Sequence, residues 1–150
     1  MFSGKKRHHT LKSQLVVNQR TGAIICTAHG KGRVHDFRLF KTSQVRLAAT
    51  IQLLGDKGYQ GIVKLHANSQ TPVKKPKGAH LSQAQRQANR TLATQRIVVE
   101  HVNRCLKIFR ILSERYRNRR RRFGLRFNLI AGIYNYELNQ GKRIQKYIFQ

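Results

Sequence analysis

Two carboxylates, Asp56 and Glu100, are the side chains of this sequence whose chemistry and scarcity attract most attention. The chain has only 5 Asp and Glu residues against 31 Lys and Arg residues, and its formal net charge is +26. In so basic a chain each carboxylate weakens binding to a polyanion, so each one needs a reason. Carboxylates and phosphate oxygens are the ligands that Mg²⁺ prefers. We therefore predict that Asp56 and Glu100 hold divalent metal for phosphodiester chemistry.

Each of these carboxylates also has a plainer interpretation. Asp56 stands before Lys-Gly, where Asp is a common turn residue, but it also follows the apolar run 50–54, which is typical of a short buried parallel strand. Sheets of α/β proteins bind ligands at the carboxyl ends of such strands. Glu100 lies four residues after Arg96, which would give an ordinary ion pair on a solvated helix face. Both interpretations stay open at this point.

A long helix positions Glu100. The pattern Ser82-x-x-Gln85 predicts a capping box that opens a helix running to about Ser113. At about 100° per residue, Arg96, Glu100 and Lys107 fall within roughly 40° of one another, on the side nearly opposite the apolar stripe. The residues of that stripe are Val98, Val102, Cys105, Phe109 and Leu112.

The other elements complete one α/β domain over residues 1–150. Asp36 is predicted to cap the start of a helix rather than to act in catalysis. Cys26 and Cys105 stand apart without a CxxC motif, which is typical of reduced, buried thiols. The remaining predicted elements are a hairpin of strands Leu11–Asn18 and Ala23–Ala28, a helix His35–Ala49, the strand Thr50–Leu54, and a last helix Phe123–Leu138 that stops near Gly141.

The excess of positive charge indicates a nucleic-acid partner. Lys and Arg gain by releasing counterions from phosphates, and basic runs contact phosphates more often than bases. No apolar run approaches ~18 residues, and the basic start has no apolar stretch behind it and does not resemble a signal peptide, so we expect no membrane partner and a cytoplasmic, nucleoid-associated protein. The residues expected to contact DNA phosphates through such runs are Lys5, Lys6, Arg7, Arg119, Arg120, Arg121 and Arg122.

Four blocks of the sequence resemble one family. The block from Gly55 to Gly61, Gly-Asp-Lys-Gly-Tyr-Gln-Gly, is similar to that around the second aspartate of bacterial insertion-sequence transposases with a DDE triad. The spacing of Arg96, Glu100 and Lys107 resembles the last three members of the Y-R-E-K signature, although Ala93 stands where the family has Tyr. Residues 4–12 and 34–40 resemble the IS-five group of these enzymes, and the whole resemblance covers about Ser3 to Glu137.

The resemblance implies an RNase H-like fold, with a central mixed sheet flanked by helices. It also implies that Asp56 and Glu100 are catalytic metal ligands for Mg²⁺ or Mn²⁺, and that Arg96 and Lys107 contact DNA beside the cleavage site. Two metal ions in such a site activate an attacking water or 3′-hydroxyl and stabilise the leaving oxygen. If the two carboxylates share an ion, they converge although forty-four positions separate them.

The family's first catalytic aspartate lies upstream of the Gly-Lys-Lys block at which this chain begins. We therefore expect a DDE transposase fragment, truncated at its N-terminus and lacking the first catalytic strand. It would be inactive alone or would need the product of an upstream open reading frame. The expected partners besides DNA are that upstream-frame transposase half or further copies of the chain in a homo-oligomer. A second hypothesis is a catalytically dead DNA-binding regulator of transposition, and a third is a ribosomal-type RNA-binding protein. The carboxylates kept at the two motif positions argue against the third.

Overall fold

The computed structural model describes residues 10–114 and 120–141. The predictions for Lys5, Lys6, Arg7 and Arg119 therefore lie outside the described residues. The elements are β1 (Leu11–Val17), β2 (Ile24–Lys31), α1 (Asp36–Ser43), β3 (Leu53–Leu54), β4 (Ser69–Gln70), α2 (Gln83–Leu106), α3 (Arg110–Ser113) and α4 (Phe123–Asn139), with single 3₁₀ turns at Lys57–Tyr59, Ile62–Lys64 and Arg120–Arg122.

Strands β1 and β2 form the predicted hairpin. The Asn18 N–H donates to the Ala23 carbonyl at 2.8 Å, and Gly22 in the turn has φ 74°, a left-handed conformation that favours glycine. Strand β2 extends beyond the predicted end at Ala28. Gly30 belongs to this strand, and a Cβ added to it would stand 3.2 Å from Leu39, so the glycine lets this residue of α1 approach closely.

Helix α1 is shorter than the pattern predicts, and the expectation that Asp36 caps it is wrong. The capping residue is His35, whose Nδ1 accepts a hydrogen bond from the Phe37 N–H at 3.4 Å, and Asp36 is the first residue of the helix. The helix ends at Ser43 because Gln44 adopts a left-handed conformation with φ 52°. Residues 45–49 are therefore outside the helix despite their helical spacing.

The third predicted strand contains only Leu53 and Leu54. These residues pair in parallel with Ser69 and Gln70 of β4, a strand that the sequence analysis did not predict. In the described ranges, β1 pairs with β2 and β3 pairs with β4, so two separate two-stranded sheets stand where the resemblance led us to expect one central mixed sheet.

The capping box at the start of α2 is confirmed. The Gln85 N–H donates to Ser82 Oγ at 3.1 Å, and the Ser82 N–H donates to Gln85 Oε1 at 3.0 Å. The expectation of one helix to Ser113 is wrong, because α2 ends at Leu106 and α3 begins only at Arg110. Phe109 interrupts the helix with extended backbone angles of φ −76° and ψ 110°. No helix of the described chain is long and apolar enough to cross a membrane.

Two compact units divide the chain. The first consists of Met1–Gln14 and Gly30–Arg96, and the second of Leu15–His29 and Ile97–Gln150. In the second unit Val102 is completely buried, whereas the other residues of the predicted apolar stripe, Val98, Cys105, Phe109 and Leu112, are half-buried. The two cysteines are half-buried rather than buried as predicted, and burial raises the pKa of the Cys26 and Cys105 thiols. The buried apolar side chains of the first unit are Leu39, Phe40, Ile62 and Leu92, and those of the second are Ile24, Val102, Leu106, Phe123, Phe127, Ile130, Ala131 and Tyr134.

One asparagine in each unit binds both backbone groups of a single extended residue. In the second unit, Asn135 of α4 accepts from the Ile24 N–H at 2.9 Å and donates to the Ile24 carbonyl at 2.8 Å. In the first unit, Asn89 of α2 accepts from the Val73 N–H at 2.8 Å and donates to the Val73 carbonyl at 3.0 Å. The amide side chain thereby satisfies the two groups that a neighbouring strand would otherwise bond.

We expect Asn135→Ala to destabilise the protein by about 2–4 kcal/mol, because it leaves two buried backbone groups without partners. Ile24 is only 7% exposed, whereas Val73 is 42% exposed and water can replace its lost bonds. Asn89→Ala, the matched control, therefore costs about 1 kcal/mol or less. Urea unfolding of both variants measures the difference. Equal losses would show that the burial of Ile24 does not set the cost.

Candidate metal and DNA-binding site

Asp56 is both a turn residue and a residue at the carboxyl end of a strand, which are the two interpretations that the sequence left open. It follows β3 after the buried Gly55, and its Oδ1 accepts a hydrogen bond from the Lys57 N–H at 2.6 Å, so it caps the turn Lys57–Tyr59. Its side chain is nevertheless 60% exposed, just beyond the carboxyl end of a parallel strand. Both contacts of the carboxylate fall on Oδ1, and Oδ2 has no hydrogen-bond or ion-pair partner in the described residues.

Arg96 contacts Asp56 within the first unit. Its Nη1 lies 3.5 Å from Asp56 Oδ1, and the arginine side chain is only 20% exposed. The plainer interpretation pairs Arg96 with Glu100 on a solvated helix face, but the carboxylate that Arg96 contacts is that of Asp56. The arginine of the predicted signature is therefore adjacent to the aspartate of the Gly-Asp-Lys-Gly block.

Glu100 lies on α2 in the second unit, where its side chain is exposed. It forms no ion pair with any residue in the described ranges, so its oxygens are available to a ligand. Lys107 is also exposed, but it lies one residue past the end of α2, so its predicted place on the helix is wrong. The Lys107 N–H still donates to the Asn103 carbonyl at 3.1 Å, which is the bond between residues four apart that an α-helix contains. The convergence of Asp56 and Glu100 stays a prediction.

Tyr59 ends the turn that carries Asp56 and lies near both aspartates of the first unit. Burial, together with the carboxylates of Asp36 and Asp56, raises the pKa of Tyr59 to about 12, and Arg96 opposes this shift. The phenol is therefore protonated at neutral pH, and its hydroxyl donates to Oε1 of the buried Gln14 at 3.4 Å. In the sequence, Tyr59 is distinguished only by its place in the glycine-rich block from Gly55 to Gly61, and no role is predicted for it there.

A small basic cavity lies beside the start of α2 in the first unit. It has a volume of about 210 Å³ and is lined by Lys75, His80, Leu81 and Arg86. Lys75 and Arg86 are cationic, which suits a phosphate group. The lysine-rich stretch around Lys75 is evident in the sequence, but its approach to Arg86 is not.

Of the predicted arginine cluster, Arg120–Arg122 form a 3₁₀ turn immediately before α4, and the side chains of Arg121 and Arg122 are exposed. Exposed arginines at this position can reach phosphates without losing an internal partner. Their role in DNA binding stays a prediction.

Comparison with known proteins identifies the family. The profile described as DDE superfamily endonuclease matches residues 1–135. The chain belongs to this superfamily. This DDE endonuclease chain is also 66% identical over 137 residues to a protein of Microchaete diplosiphon described as a probable transposase for insertion sequence element IS702. That match covers 91% of the chain and 50% of the relative, so the chain spans about half the length of the curated relative. No solved structure shows a significant match to the chain.

DDE superfamily endonucleases generally use divalent metals. The type of donor fits such an ion here, because Asp56 offers an exposed carboxylate with one unengaged oxygen and Glu100 is an exposed carboxylate. The number of donors is small: among the described residues no three His, Cys, Asp or Glu side chains come together to hold a metal. Mg²⁺ tolerates this better than zinc does, since it keeps several waters and binds phosphate oxygens of the substrate.

Proposed function

We propose that this DDE endonuclease chain is part of a transposase that cuts and joins DNA at the ends of an insertion sequence. The observation that carries the proposal is the family match over residues 1–135, a range that includes both Asp56 and Glu100. The probable transposase of Microchaete diplosiphon, at 66% identity, supports the same function. The net charge of +26 supports DNA as the partner.

In this function, Asp56 and Glu100 are the residues that would hold Mg²⁺ or Mn²⁺. Such an ion would supply Lewis-acid activation of the attacking oxygen and would stabilise the charge on the leaving oxygen. Asp56 is held in place by the Lys57 N–H, while its exposed oxygen faces solvent. Arg96 limits the negative charge at Asp56 and offers a cation to a phosphate bound there. Lys107 supplies a second, exposed contact to the DNA backbone.

The finer fold that we propose is RNase H-like. The order of hairpin, helix, strand and long helix supports it, as does the place of Asp56 after a parallel strand. The two separate sheets are compatible with an RNase H-like sheet whose pairing is completed by a further strand. The basic cavity and the exposed arginines before α4 supply additional phosphate contacts in this proposal.

A double-mutant cycle on metal binding tests the assignment of the two carboxylates. We expect Asp56→Asn and Glu100→Gln each to lower the affinity for Mn²⁺, measured from the electron paramagnetic resonance signal of free Mn²⁺. If the two residues share one ion, the combined loss differs from the sum of the single losses by about 0.5–3 kcal/mol.

Glu114→Gln is the control for this cycle, because it removes one carboxylate that is already paired with Arg110 at 2.8 Å. Its Mn²⁺ affinity stays unchanged in our proposal. Additive losses would place the two carboxylates on separate ions. Unchanged affinity in both single variants would refute their role as ligands.

A further inference from the structure

The carboxylate of Asp36 lies directly against the turn that carries Asp56. A side-chain Cβ added to Gly58 would stand 3.0 Å from both Cβ and Cγ of Asp36 and would come even closer to its Oδ2. Real Cβ atoms essentially never come so close to other heavy atoms, so position 58 has room only for glycine while Asp36 keeps its place. Gly58 is thus required by this close approach.

Lys12 fixes the carboxylate of Asp36 from the other side. The ammonium of this β1 residue lies 2.8 Å from Asp36 Oδ1 and donates to the Val34 carbonyl at 2.7 Å. The lysine and aspartate side chains are only 28% and 38% exposed, so solvent screens this pair less than a fully exposed one. One oxygen of Asp36 therefore faces Lys12, and the other faces Gly58.

Helix α1 supports the same turn at two further points. The Phe37 ring lies under Gly61, which has φ 89°, and a Cβ there would stand 3.4 Å from the ring. The Phe40 and Tyr59 rings pack edge to face with their centroids 6.2 Å apart. The start of α1 thus forms a support on which the turn from Asp56 to Gly61 rests.

We propose that Asp36 is a positioning residue for Asp56: held by Lys12, its carboxylate packs against Gly58 and fixes the turn that presents the Asp56 carboxylate. This inference rests on the proposed role of Asp56 as a metal ligand. Asp36, the third carboxylate within the blocks that resemble the family, thereby has a function other than helix capping or metal binding. The pair of Lys12 and Asp36 acts through the turn, without touching metal or DNA.

Hydrogen exchange at the turn tests the positioning contact without any metal. The Lys57 N–H donates to Asp56 Oδ1 and the Tyr59 N–H donates to the Asp56 carbonyl at 2.9 Å, so both amides report on the turn. We expect Asp36→Asn and Lys12→Gln to speed exchange at these two amides about tenfold, because local opening becomes easier. The conservative variant Lys12→Arg keeps exchange slow, since it retains the cation.

Two control variants match these changes. Glu114→Gln breaks an ion pair of the same 2.8 Å length in the second unit and leaves exchange at the turn unchanged. Gly58→Ala reproduces the fast exchange, and adding Asp36→Ala to it gives no further increase, because both changes break the same contact. Gly132→Ala, at a helical glycine with nothing within 4 Å of the added atom, leaves the turn unaffected.

The Mn²⁺ affinity distinguishes a residue that positions Asp56 from a residue that binds the metal itself. We expect Asp36→Asn to weaken Mn²⁺ binding several-fold, less than Asp56→Asn does, and in step with the faster exchange. Unchanged exchange in Asp36→Asn overturns the proposal. Loss of Mn²⁺ binding as complete as in Asp56→Asn, with exchange unchanged, makes Asp36 a ligand and also overturns it. If the unaltered chain binds no Mn²⁺, the proposed function fails first, while fast exchange in Asp36→Asn still establishes the contact.

Discussion

We expect Asp56→Asn to lower metal-dependent DNA cleavage about 10³-fold or more in a chimera that joins this chain to the half of the Microchaete diplosiphon relative outside the match. The expected loss is large because a metal-holding carboxylate contributes several kcal/mol to the stabilisation of transition-state charge. The amide of Asn keeps the size of the side chain and can still accept from the Lys57 N–H. The variant therefore removes charge and metal affinity with little change to the turn.

The measurement is single-turnover cleavage of labelled insertion-sequence-end DNA in Mg²⁺. Glu100→Gln gives a comparable loss, and Glu114→Gln gives none. We expect cleavage at background level from the chain without the added half. Cleavage that persists in Asp56→Asn would refute the catalytic assignment. An inactive chimera that still binds DNA would favour a protein that binds transposon ends without cutting them.

We expect the DNA affinity of this chain to fall steeply as salt rises. For a protein with 6–10 phosphate contacts, raising salt from 50 to 200 mM lowers affinity roughly 10³–10⁵-fold. A net charge of +26 with an exposed arginine turn before α4 makes contacts of this number attainable. Neutralising Arg119, Arg120, Arg121 and Arg122 together weakens binding to every sequence alike, and the slope of log affinity against log salt falls by up to about 0.9 per lost contact.

Single-charge variants locate these contacts within the chain. Arg86→Gln, in the basic cavity, is expected to reduce the salt slope by about 0.9. Arg110→Gln changes the formal charge equally, but Arg110 is already paired with Glu114 at 2.8 Å, so the slope stays the same. Fluorescence anisotropy with two unrelated duplexes measures both variants. Equal slopes for the two variants would show that overall charge, and not the cavity, sets the affinity.

Local signals explain the parts of the fold that the sequence predicts. Three features arise from residues within a few positions of one another: the hairpin turn at Gly22, the capping box at Ser82 and the row of side chains that α4 buries. The place of Asp56 after β3 follows in the same way, since an apolar run followed by Gly-Asp marks the end of a strand. These predictions needed no knowledge of distant contacts.

Distant contacts explain what the sequence does not predict. Strand β4 contains only Ser69 and Gln70, and its two residues become a strand because they pair with β3. The contact between Asp36 and Gly58 joins residues 22 positions apart and leaves no periodic pattern, so Asp36 was interpreted as a cap. Likewise, nothing in the spacing of Arg96 and Glu100 distinguishes a helix-face ion pair from the observed contact with Asp56.

Asn135 and Asn89, which each bind both backbone groups of one residue, make this protein sensitive to a change in a single side-chain amide. Each amide must donate with its NH₂ and accept with its oxygen at the same backbone residue. Deamidation converts the NH₂ into a carboxylate oxygen, which only accepts and which then faces the carbonyl of Ile24 or Val73. At Asn135 this repulsion falls beside the buried Ile24, so the slow chemical ageing of one side chain would loosen the attachment of α4 to β2.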